Sequence, residues 1–149
     1  MAPTESALAT LQGSYLTPRF DEARVYDAMR KGIFTCSPDT PLRDVARIMA
    51  TQHIHCVVVT GAHSEEPWGV ISDLDLARFA GTDVMDRTAG EAAATEVVTV
   101  TSDDRLALAA RLMTEHDIAH LVVLHAETGK PAGVVSTLDV AGVIAWGEG

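Results

Sequence analysis

The chain is poor in several kinds of residue, and each shortage argues against a class of protein. Two cysteines are too few for a disulfide-stabilised scaffold. Lysine and arginine number 11 against 21 aspartates and glutamates, and a formal net charge of −10 argues against a nucleic-acid-binding face. No run approaches the roughly 18 apolar residues of a membrane-spanning helix. The N-terminus carries Glu5 and no basic segment, so we expect no secretory signal and a cytoplasmic location.

What the chain has instead is a hydrophobic content of 47% and an internal repeat. Shifted by 64 residues, Val25–Ala80 overlays Ala89–Ile144 without a gap, and about 18 of the 56 aligned positions are identical. The most distinctive match is Gly-Val-Ile-Ser-Asp-Leu-Asp at Gly69–Asp75 against Gly-Val-Val-Ser-Thr-Leu-Asp at Gly133–Asp139. We therefore predict four parts, which are an N-terminal tail (1–19), a first repeat (20–80), a linker (81–87) and a second repeat (88–149).

Each repeat begins with a short strand and an amphipathic helix. The strands are predicted at Ile33–Cys36 and Val97–Val100. Thr40 and Asp104 then stand at the N-cap of a helix, with Pro41 at the first helical position, where its missing N–H costs nothing. Apolar residues recur at i, i+3, i+4 and i+7 in both helices, which gives each of them one apolar face.

The rest of each repeat is predicted to contain two strands and a second helix. Continuous apolar runs at His55–Thr60 and Ala119–Leu124 predict strands that are buried on both faces. A polar turn, a second strand and a second helix follow, at Gly61–Glu66, Trp68–Ile71 and Leu74–Ala80 in the first copy and at Ala126–Lys130, Ala132–Val135 and Leu138–Trp146 in the second. Half of such a chain is expected to be unstable alone. We therefore predict an α+β fold of two β-α-β-β-α repeats, packed sheet against sheet across a pseudo-twofold axis.

The repeated Ser-x-x-Asp motif has two interpretations. In the first, Ser72 and Ser136 cap the following helix while the aspartate reaches back to the N-cap N–H, as in a capping box. In the second, the carboxylate of Asp75 or Asp139 accepts hydrogen bonds from both hydroxyls of a ribose. A serine hydroxyl and the N–H groups of a helix start then suit a phosphate, and the glycine lets the backbone approach a ligand closely. The sequence leaves both interpretations open.

With these features, the chain resembles a tandem pair of cystathionine-β-synthase (CBS) domains, the stand-alone Bateman module. The resemblance covers nearly everything from Val25 to the C-terminus. It rests on the Gly-hydrophobic-hydrophobic-Ser-x-x-Asp signature, on the lead-in segments and on the central apolar runs, at Val25–Met29, Ile33–Pro38, Val97–Thr101, Ile54–Val59 and Ile118–Val123. It implies a regulatory, non-catalytic protein that binds AMP, ADP, ATP or S-adenosylmethionine between the repeats and signals by a conformational change. It also implies an effector protein that is regulated in trans and a homodimer with Phe79 and Trp146 as candidate contacts. The dimer would form through the helices that flank the sheets, at Leu42–Gln52, Leu74–Ala80, Leu106–His116 and Leu138–Trp146.

The resemblance further implies two ligand-binding clefts, each drawing on both repeats. The Asp139 cleft would contain Asp139, Ser136, Thr137, His120, Ala119, Phe34, Thr35, Ile54 and Cys56. The Asp75 cleft would contain Asp75, Ser72, His55 and Cys56, with Val98, Thr99, Ile118 and His120 opposite.

One difference between the clefts leads us to favour the Asp139 cleft. Asp73 stands where the second repeat has Thr137, and a carboxylate at that position would repel a phosphate. Neither cleft shows an arginine in this alignment, so the only basic groups expected nearby are His55, His120 and Lys130, which suits AMP or S-adenosylmethionine at least as well as ATP.

Two other functions stay open. In one, dimerisation is itself the function, the clefts are vestigial, and Phe79 and Trp146 are candidate contacts. In the other, Cys36, Cys56 and the six histidines form a metal- or redox-responsive sensor. We expect no metal and no obligatory cofactor, because the chain offers no convincing ligand spacing. We also expect no catalytic residues, since no nucleophile stands at motif spacing from a base.

Overall fold

A computed structural model of the chain describes residues 17–61, 66–81 and 83–147, and its architecture is α+β as predicted. The elements in chain order are α1 (Val25–Ala28), β1 (Arg30–Lys31), β2 (Thr35–Cys36), α2 (Leu42–Gln52), β3 (Cys56–Thr60), β4 (Pro67–Ser72), α3 (Asp73–Phe79), a 3₁₀ turn (Val84–Asp86), α4 (Ala89–Ala92), β5 (Thr99–Thr101), α5 (Leu106–His116), β6 (His120–Leu124), β7 (Pro131–Ser136) and α6 (Thr137–Trp146). Most of the predicted tail (1–19) and of the turn at 61–66 lies outside the described residues. Within the described ranges, no helix has the length and apolar character needed to cross a membrane.

Two sheets carry the two repeats. One has the strand order β2-β3-β4 and the other has the order β1-β7-β6-β5. In each sheet the central strand runs parallel to the short strand before it and antiparallel to the strand after it. The two antiparallel pairs also share a register shift, between Val59 and Thr60 in the first repeat and between Val123 and Leu124 in the second. This common register and irregularity confirm the predicted β-α-β-β-α repeat.

Each sheet faces a hydrophobic core on one side and the other repeat on its opposite side. Val57 and Val59 belong to the first core, together with Leu42 and Ile71. Val58 lies between them on the opposite face of β3 and is nevertheless fully buried, as is its counterpart in β6. A face that is turned away from its own helices is buried only if another layer covers it, so the two sheets pack against each other.

The segment before the first strand of each repeat crosses to the other repeat. Val25 lies in the core of the second repeat, whereas Ala89 lies in the core of the first. The Val25 N–H donates to the carbonyl oxygen of Asp104 at 2.8 Å, and the Ala89 N–H donates to that of Thr40 at 2.7 Å. These two bonds join positions that correspond under the 64-residue shift, which is the pattern of a pseudo-twofold axis. The boundaries 20–80 and 88–149 remain a prediction, because the packing units exchange these segments.

The N-caps predicted for α2 and α5 are wrong. Thr40 and Asp104 close the preceding turn, where their side-chain oxygens accept hydrogen bonds from the N–H groups of Ser37 and Thr101 at 3.2 and 2.8 Å. The N-cap residues are Pro41 and its counterpart Arg105, and neither makes a side-chain cap.

A tertiary contact replaces the missing caps. The Leu42 N–H at the start of α2 donates to the carbonyl oxygen of Arg87 at 2.8 Å, and the Leu106 N–H at the start of α5 donates to that of Ala23 at 2.9 Å. Both acceptors lie on the crossing segments. Because the partner groups are distant in sequence, a reading of local capping residues could not identify them. The other predicted elements agree with the structure to within about two residues.

Candidate functional site

Both copies of Ser-x-x-Asp form a capping box at the start of the following helix. The Oδ2 atom of Asp139 accepts hydrogen bonds from the N–H and the hydroxyl of Ser136 at 2.8 and 2.9 Å, and the Ser136 hydroxyl accepts one from the Asp139 N–H at 3.2 Å. Ser72 and Asp75 repeat this geometry at 2.8, 3.0 and 3.2 Å. The capping interpretation is therefore confirmed, and a ligand can use only those atoms that the cap leaves free.

The two aspartates differ in the oxygen that remains. Arg78 donates to Oδ1 of Asp75 at 3.3 Å. The corresponding position in the second repeat is Gly142, and no residue in the described ranges donates to Oδ1 of Asp139. The Oδ1 atom of Asp139 is therefore available to a ligand hydroxyl, whereas Oδ1 of Asp75 becomes available only if Arg78 moves away.

A cleft of about 600 Å³ lies beside Asp139, between the two repeats. Of the residues predicted for it, seven line its walls, namely Asp139, Ser136, Thr137, His120, Phe34, Ile54 and Cys56. Thr35 and Ala119 do not. Thr35 pairs with Val58 in the sheet and lines neither cleft, and the side chain of Ala119 faces the other cleft.

A second cleft, of about 580 Å³, lies beside Asp75. Its lining includes five predicted residues, which are Asp75, Ser72, Val98, Ile118 and His120. Thr99, His55 and Cys56 are absent from it, and the last two line the Asp139 cleft instead. The second cleft is acidic, with the carboxylates of Asp73, Asp75, Glu96 and Asp117 beside a single arginine among its lining residues, Arg78.

His55 and Ala119 thus exchange clefts relative to the prediction, although their backbone groups make equivalent hydrogen bonds. The carbonyl oxygen of Ala119 accepts a hydrogen bond from the Thr137 N–H at 3.0 Å, and that of His55 accepts one from the Asp73 N–H at 2.9 Å. The carbonyl group of each residue is therefore turned toward the helix start of its own repeat. Ala119 lines the Asp75 cleft, whereas His55 lines the Asp139 cleft and contacts Asp73 of the Asp75 cleft through Nδ1.

Two basic residues of the Asp139 cleft were missed by the sequence analysis. Arg30 and Lys31 line it, so the expectation that the cleft lacks an arginine is wrong. They form β1, which pairs antiparallel with β7 and thereby joins the sheet of the second repeat, with Arg30 opposite Val134. Nothing in the local sequence indicates which sheet a two-residue strand will join. Arg78 was missed in the Asp75 cleft because no basic residue stands at its counterpart, Gly142.

The glycine of the motif makes room for protein backbone, which is a different role from the expected close approach to a ligand. A β-carbon on Gly133 would collide with the carbonyl oxygen of Arg30, and it would lie 2.7 Å from the methyl group of Met29. A β-carbon on Gly69 would lie 3.0 Å from the carbonyl oxygen of Ala94. In both repeats the missing side chain lets the crossing segment of the other repeat lie against the motif.

Three polar side chains stand between the two clefts. Nδ1 of His55 lies 2.7 Å from Oδ2 of Asp73, and the imidazole rings of His55 and His120 stack with their centroids 6.5 Å apart. His120 lines both clefts, as does Thr137. The hydrogen bond from His55 lowers the pKa of Asp73, so this carboxylate is charged at neutral pH. Burial lowers the pKa of His120, although the nearby charge of Asp73 opposes that effect, so this imidazole is neutral at pH 7.

The cysteines do not have the features of a reactive pair. Burial raises the pKa of Cys56 to about 11 and also raises the pKa of the half-buried Cys36. Protonated thiols are poor nucleophiles and poor metal ligands. Within the ranges that the structure describes, no group of three His, Cys, Asp or Glu side chains is arranged to hold a metal ion. These observations lend no support to a metal- or redox-responsive sensor.

A comparison with known protein families agrees with this two-repeat architecture. The family model of the CBS domain matches the chain twice, over residues 25–81 and 89–145. The chain therefore belongs to the CBS domain family, and its two repeats form a tandem CBS domain pair.

Three known proteins are similar to this chain. The CBS domain pair of protein MJ0100, solved with 5-methylthioadenosine and S-adenosyl-L-methionine, has a TM-score of 0.74 at 20% identity and covers 83% of this chain and 96% of its own. CBS domain protein PAE2072 from Pyrobaculum aerophilum, solved with AMP, has a TM-score of 0.71 at 27% identity and covers 78% and 89%. Uncharacterized protein MJ1232 of Methanocaldococcus jannaschii is 26% identical over 121 residues, which are 81% of this chain but only 39% of that protein.

Proposed function

We propose that this chain is a regulatory module that binds an adenosine-containing nucleotide in the Asp139 cleft and transmits the resulting change to an effector protein. The observation that carries this proposal is the free Oδ1 atom of Asp139, held rigidly by the cap at the edge of a cleft that also contains a basic pair. The carboxylate would accept hydrogen bonds from the ribose hydroxyls, because its other oxygen is already used within the protein.

The remaining walls suit the other parts of a nucleotide. Ile33, Phe34 and Ile54 offer an apolar surface for a purine ring. Arg30 and Lys31 supply positive charge for a phosphate, and the N–H groups at the start of α6 add to it. The proposed cleft therefore combines an apolar surface for adenine with positive charge for a phosphate.

The basic pair favours a phosphorylated ligand over S-adenosylmethionine, whose sulfonium carries a positive charge. The AMP complex of the Pyrobaculum protein, which is 27% identical to this chain, supports AMP as the first candidate. ADP and ATP follow, since the additional phosphates would extend toward the same basic residues. S-adenosylmethionine remains the ligand that a test must discriminate from these nucleotides.

The test is a calorimetric and thermal-unfolding screen of AMP, ADP, ATP, S-adenosylmethionine and NAD. AMP at a hundred times its dissociation constant should stabilise the fold by about 2.7 kcal/mol. Asp139→Ala should remove the part of this stabilisation that comes from the Asp139 cleft and leave only the weaker contribution of the Asp75 cleft. Asp75→Ala is the matched control, because it removes an equivalent capping box from the other repeat and should leave binding in the Asp139 cleft in place.

The alternatives predict different results from the same screen. If no nucleotide raises the unfolding temperature, the module is better explained as a structural dimerisation unit. If Asp139→Ala and Asp75→Ala reduce binding equally, the aspartates act only as helix caps and the proposed site is wrong.

Regulation requires that binding favour one arrangement of the repeats or of an assembly. A homodimer through α3 and α6 is proposed as that assembly, because large apolar side chains on these helices are exposed, with Leu138 at 73% and Ile144 at 65%. Phe79 packs against the core of the first repeat beneath the Arg87 guanidinium, which favours an intramolecular role for it. Ile144→Glu should convert a dimer to a monomer in light scattering while leaving nucleotide affinity unchanged, since Ile144 lines neither cleft.

A further inference from the structure

We propose that the two clefts are negatively coupled through the His55–Asp73 pair, so that a nucleotide phosphate in the Asp139 cleft weakens the binding of a second anionic nucleotide in the Asp75 cleft. This inference rests on the proposed function of the Asp139 cleft, and it concerns how that cleft is regulated.

The geometry of the pair links the two clefts by one hydrogen bond. His55 lines the Asp139 cleft and Asp73 lines the Asp75 cleft, and Nδ1 of the first lies 2.7 Å from Oδ2 of the second. Both side chains are more than half exposed. They are therefore free to rearrange when a ligand arrives, without the cost of breaking a packed core.

A phosphate in the Asp139 cleft would compete with Asp73 for His55. In one state the imidazole donates to Asp73, and in the other it turns toward the phosphate. His120 stacks on the His55 ring and lines both clefts, which places the two imidazoles at the boundary between the clefts. These are two distinct arrangements of one side chain, which is what coupling between two sites requires.

The second state leaves the Asp73 carboxylate without its partner in a cleft that is already acidic. Asp75, Glu96 and Asp117 face the same space, and Arg78 is engaged with Asp75. Release of His55 therefore leaves the charge of Asp73 without its hydrogen-bond donor, so the Asp75 cleft is less able to accept an anion. By thermodynamic reciprocity, an anion in the Asp75 cleft would recruit His55 to Asp73 and weaken binding in the Asp139 cleft by the same factor.

The size of the coupling follows from the exposure of the pair. Polar contacts between exposed side chains contribute little, so the expected effect is a change of about two- to fivefold in affinity. This is a modest coupling, and it needs a thermodynamic cycle to measure it.

The cycle compares the AMP affinity of the Asp75 cleft when the Asp139 cleft is occupied with its affinity when the Asp139 cleft is empty. Calorimetry gives the affinity of the second AMP molecule in the wild type, and it gives the affinity of AMP for Asp139→Ala, in which only the Asp75 cleft binds. The second AMP of the wild type should bind about two- to fivefold more weakly. The second AMP should bind His55→Gln with the same affinity as AMP binds the double variant His55→Gln/Asp139→Ala. His125→Gln, an exposed histidine that lines neither cleft, should preserve the wild-type difference.

Several results would overturn the coupling and leave the proposed function intact. One is that the second AMP binds the wild type as tightly as AMP binds Asp139→Ala. Another is that the difference between these two affinities persists when His55 is changed to Gln. The third is a folded Asp139→Ala protein that binds no AMP and so has no second site. If Asp139→Ala does not fold, Asp139→Asn replaces it, because the amide oxygen still accepts the capping hydrogen bonds. Absence of AMP binding to the wild type would instead refute the proposed function itself.

Discussion

The α-carbon of Gly133 lies against the carbonyl oxygen of Arg30, with no room for a β-carbon between them. This contact brings the crossing segment of the first repeat onto the Ser-x-x-Asp motif of the second. It also carries the side chains of Arg30 and Lys31 onto the wall of the Asp139 cleft. The most recognisable glycine of the sequence is therefore a packing residue that positions the charge of the site.

Gly133→Ala should destabilise the protein strongly, because the added methyl group forces the backbone of β1 away from β7. We expect a loss of about 1–3 kcal/mol in the free energy of unfolding, the usual cost of overpacking. Gly142→Ala is the matched control, since a β-carbon there meets open space and alanine favours a helix by about 1 kcal/mol. Urea unfolding measures both. A Gly133→Ala protein as stable as Gly142→Ala would show that the close approach is not required.

Arg30→Ala should weaken AMP binding but leave adenosine binding nearly unchanged, because only AMP presents a phosphate to the guanidinium. The expected loss for AMP is about three- to tenfold, and it should shrink at high salt as the charges are screened. Calorimetry with the two ligands measures the difference. Arg47→Ala is the control, since Arg47 is exposed and lines neither cleft. An equal loss for adenosine would mean that Arg30 shapes the cleft and does not contact the phosphate.

His120 should make the protein less stable in mild acid. Burial lowers its pKa in the folded state, whereas in the unfolded chain it returns to about 6.5. As the pH falls below about 6.5, the unfolded chain takes up this proton first, so the free energy of unfolding decreases. His120→Gln should lose less stability than the wild type between pH 7.5 and pH 5.5 in urea titrations.

The control for this pH experiment is His125→Gln, which changes an exposed histidine at the end of β6. It should follow the wild-type pH dependence. If His120→Gln also follows the wild type over the whole range, His120 does not titrate differently in the two states.

Cys56 should be nearly inert in the folded protein. With a pKa of about 11, its thiolate fraction at pH 8 is roughly a hundredfold below that of an ordinary cysteine. Reaction with a thiol reagent should therefore be slower in the native state than in guanidinium by at least that factor. Cys36→Ser isolates the signal of Cys56. Fast native reaction of Cys56 would revive the redox-responsive alternative that the structure does not support.

Much of the local structure could be predicted because its causes are local. The apolar positions of α2 and α5 recur with the period of a helix, and the runs around Val58 and Val122 are apolar without interruption. The Ser-x-x-Asp boxes lie within four consecutive residues, and their hydrogen bonds form as the first of the two interpretations of the motif predicts. The caps of α2 and α5 were predicted wrongly because their hydrogen-bonding partners are carbonyl groups of the other repeat.

Hydrophobic period and motif spacing lie along the chain, so the two repeats, their order of strands and helices, and the family could all be predicted. The sheet that β1 joins could not, and neither could the presence of Arg30 and Lys31 in the Asp139 cleft that follows from it. The tertiary structure also placed His55 and Ala119 in the clefts opposite to those predicted. The physical reason is that a two-residue strand carries no periodic signal. Its place is set by the burial of Val25 in the opposite core and by the space that Gly133 leaves.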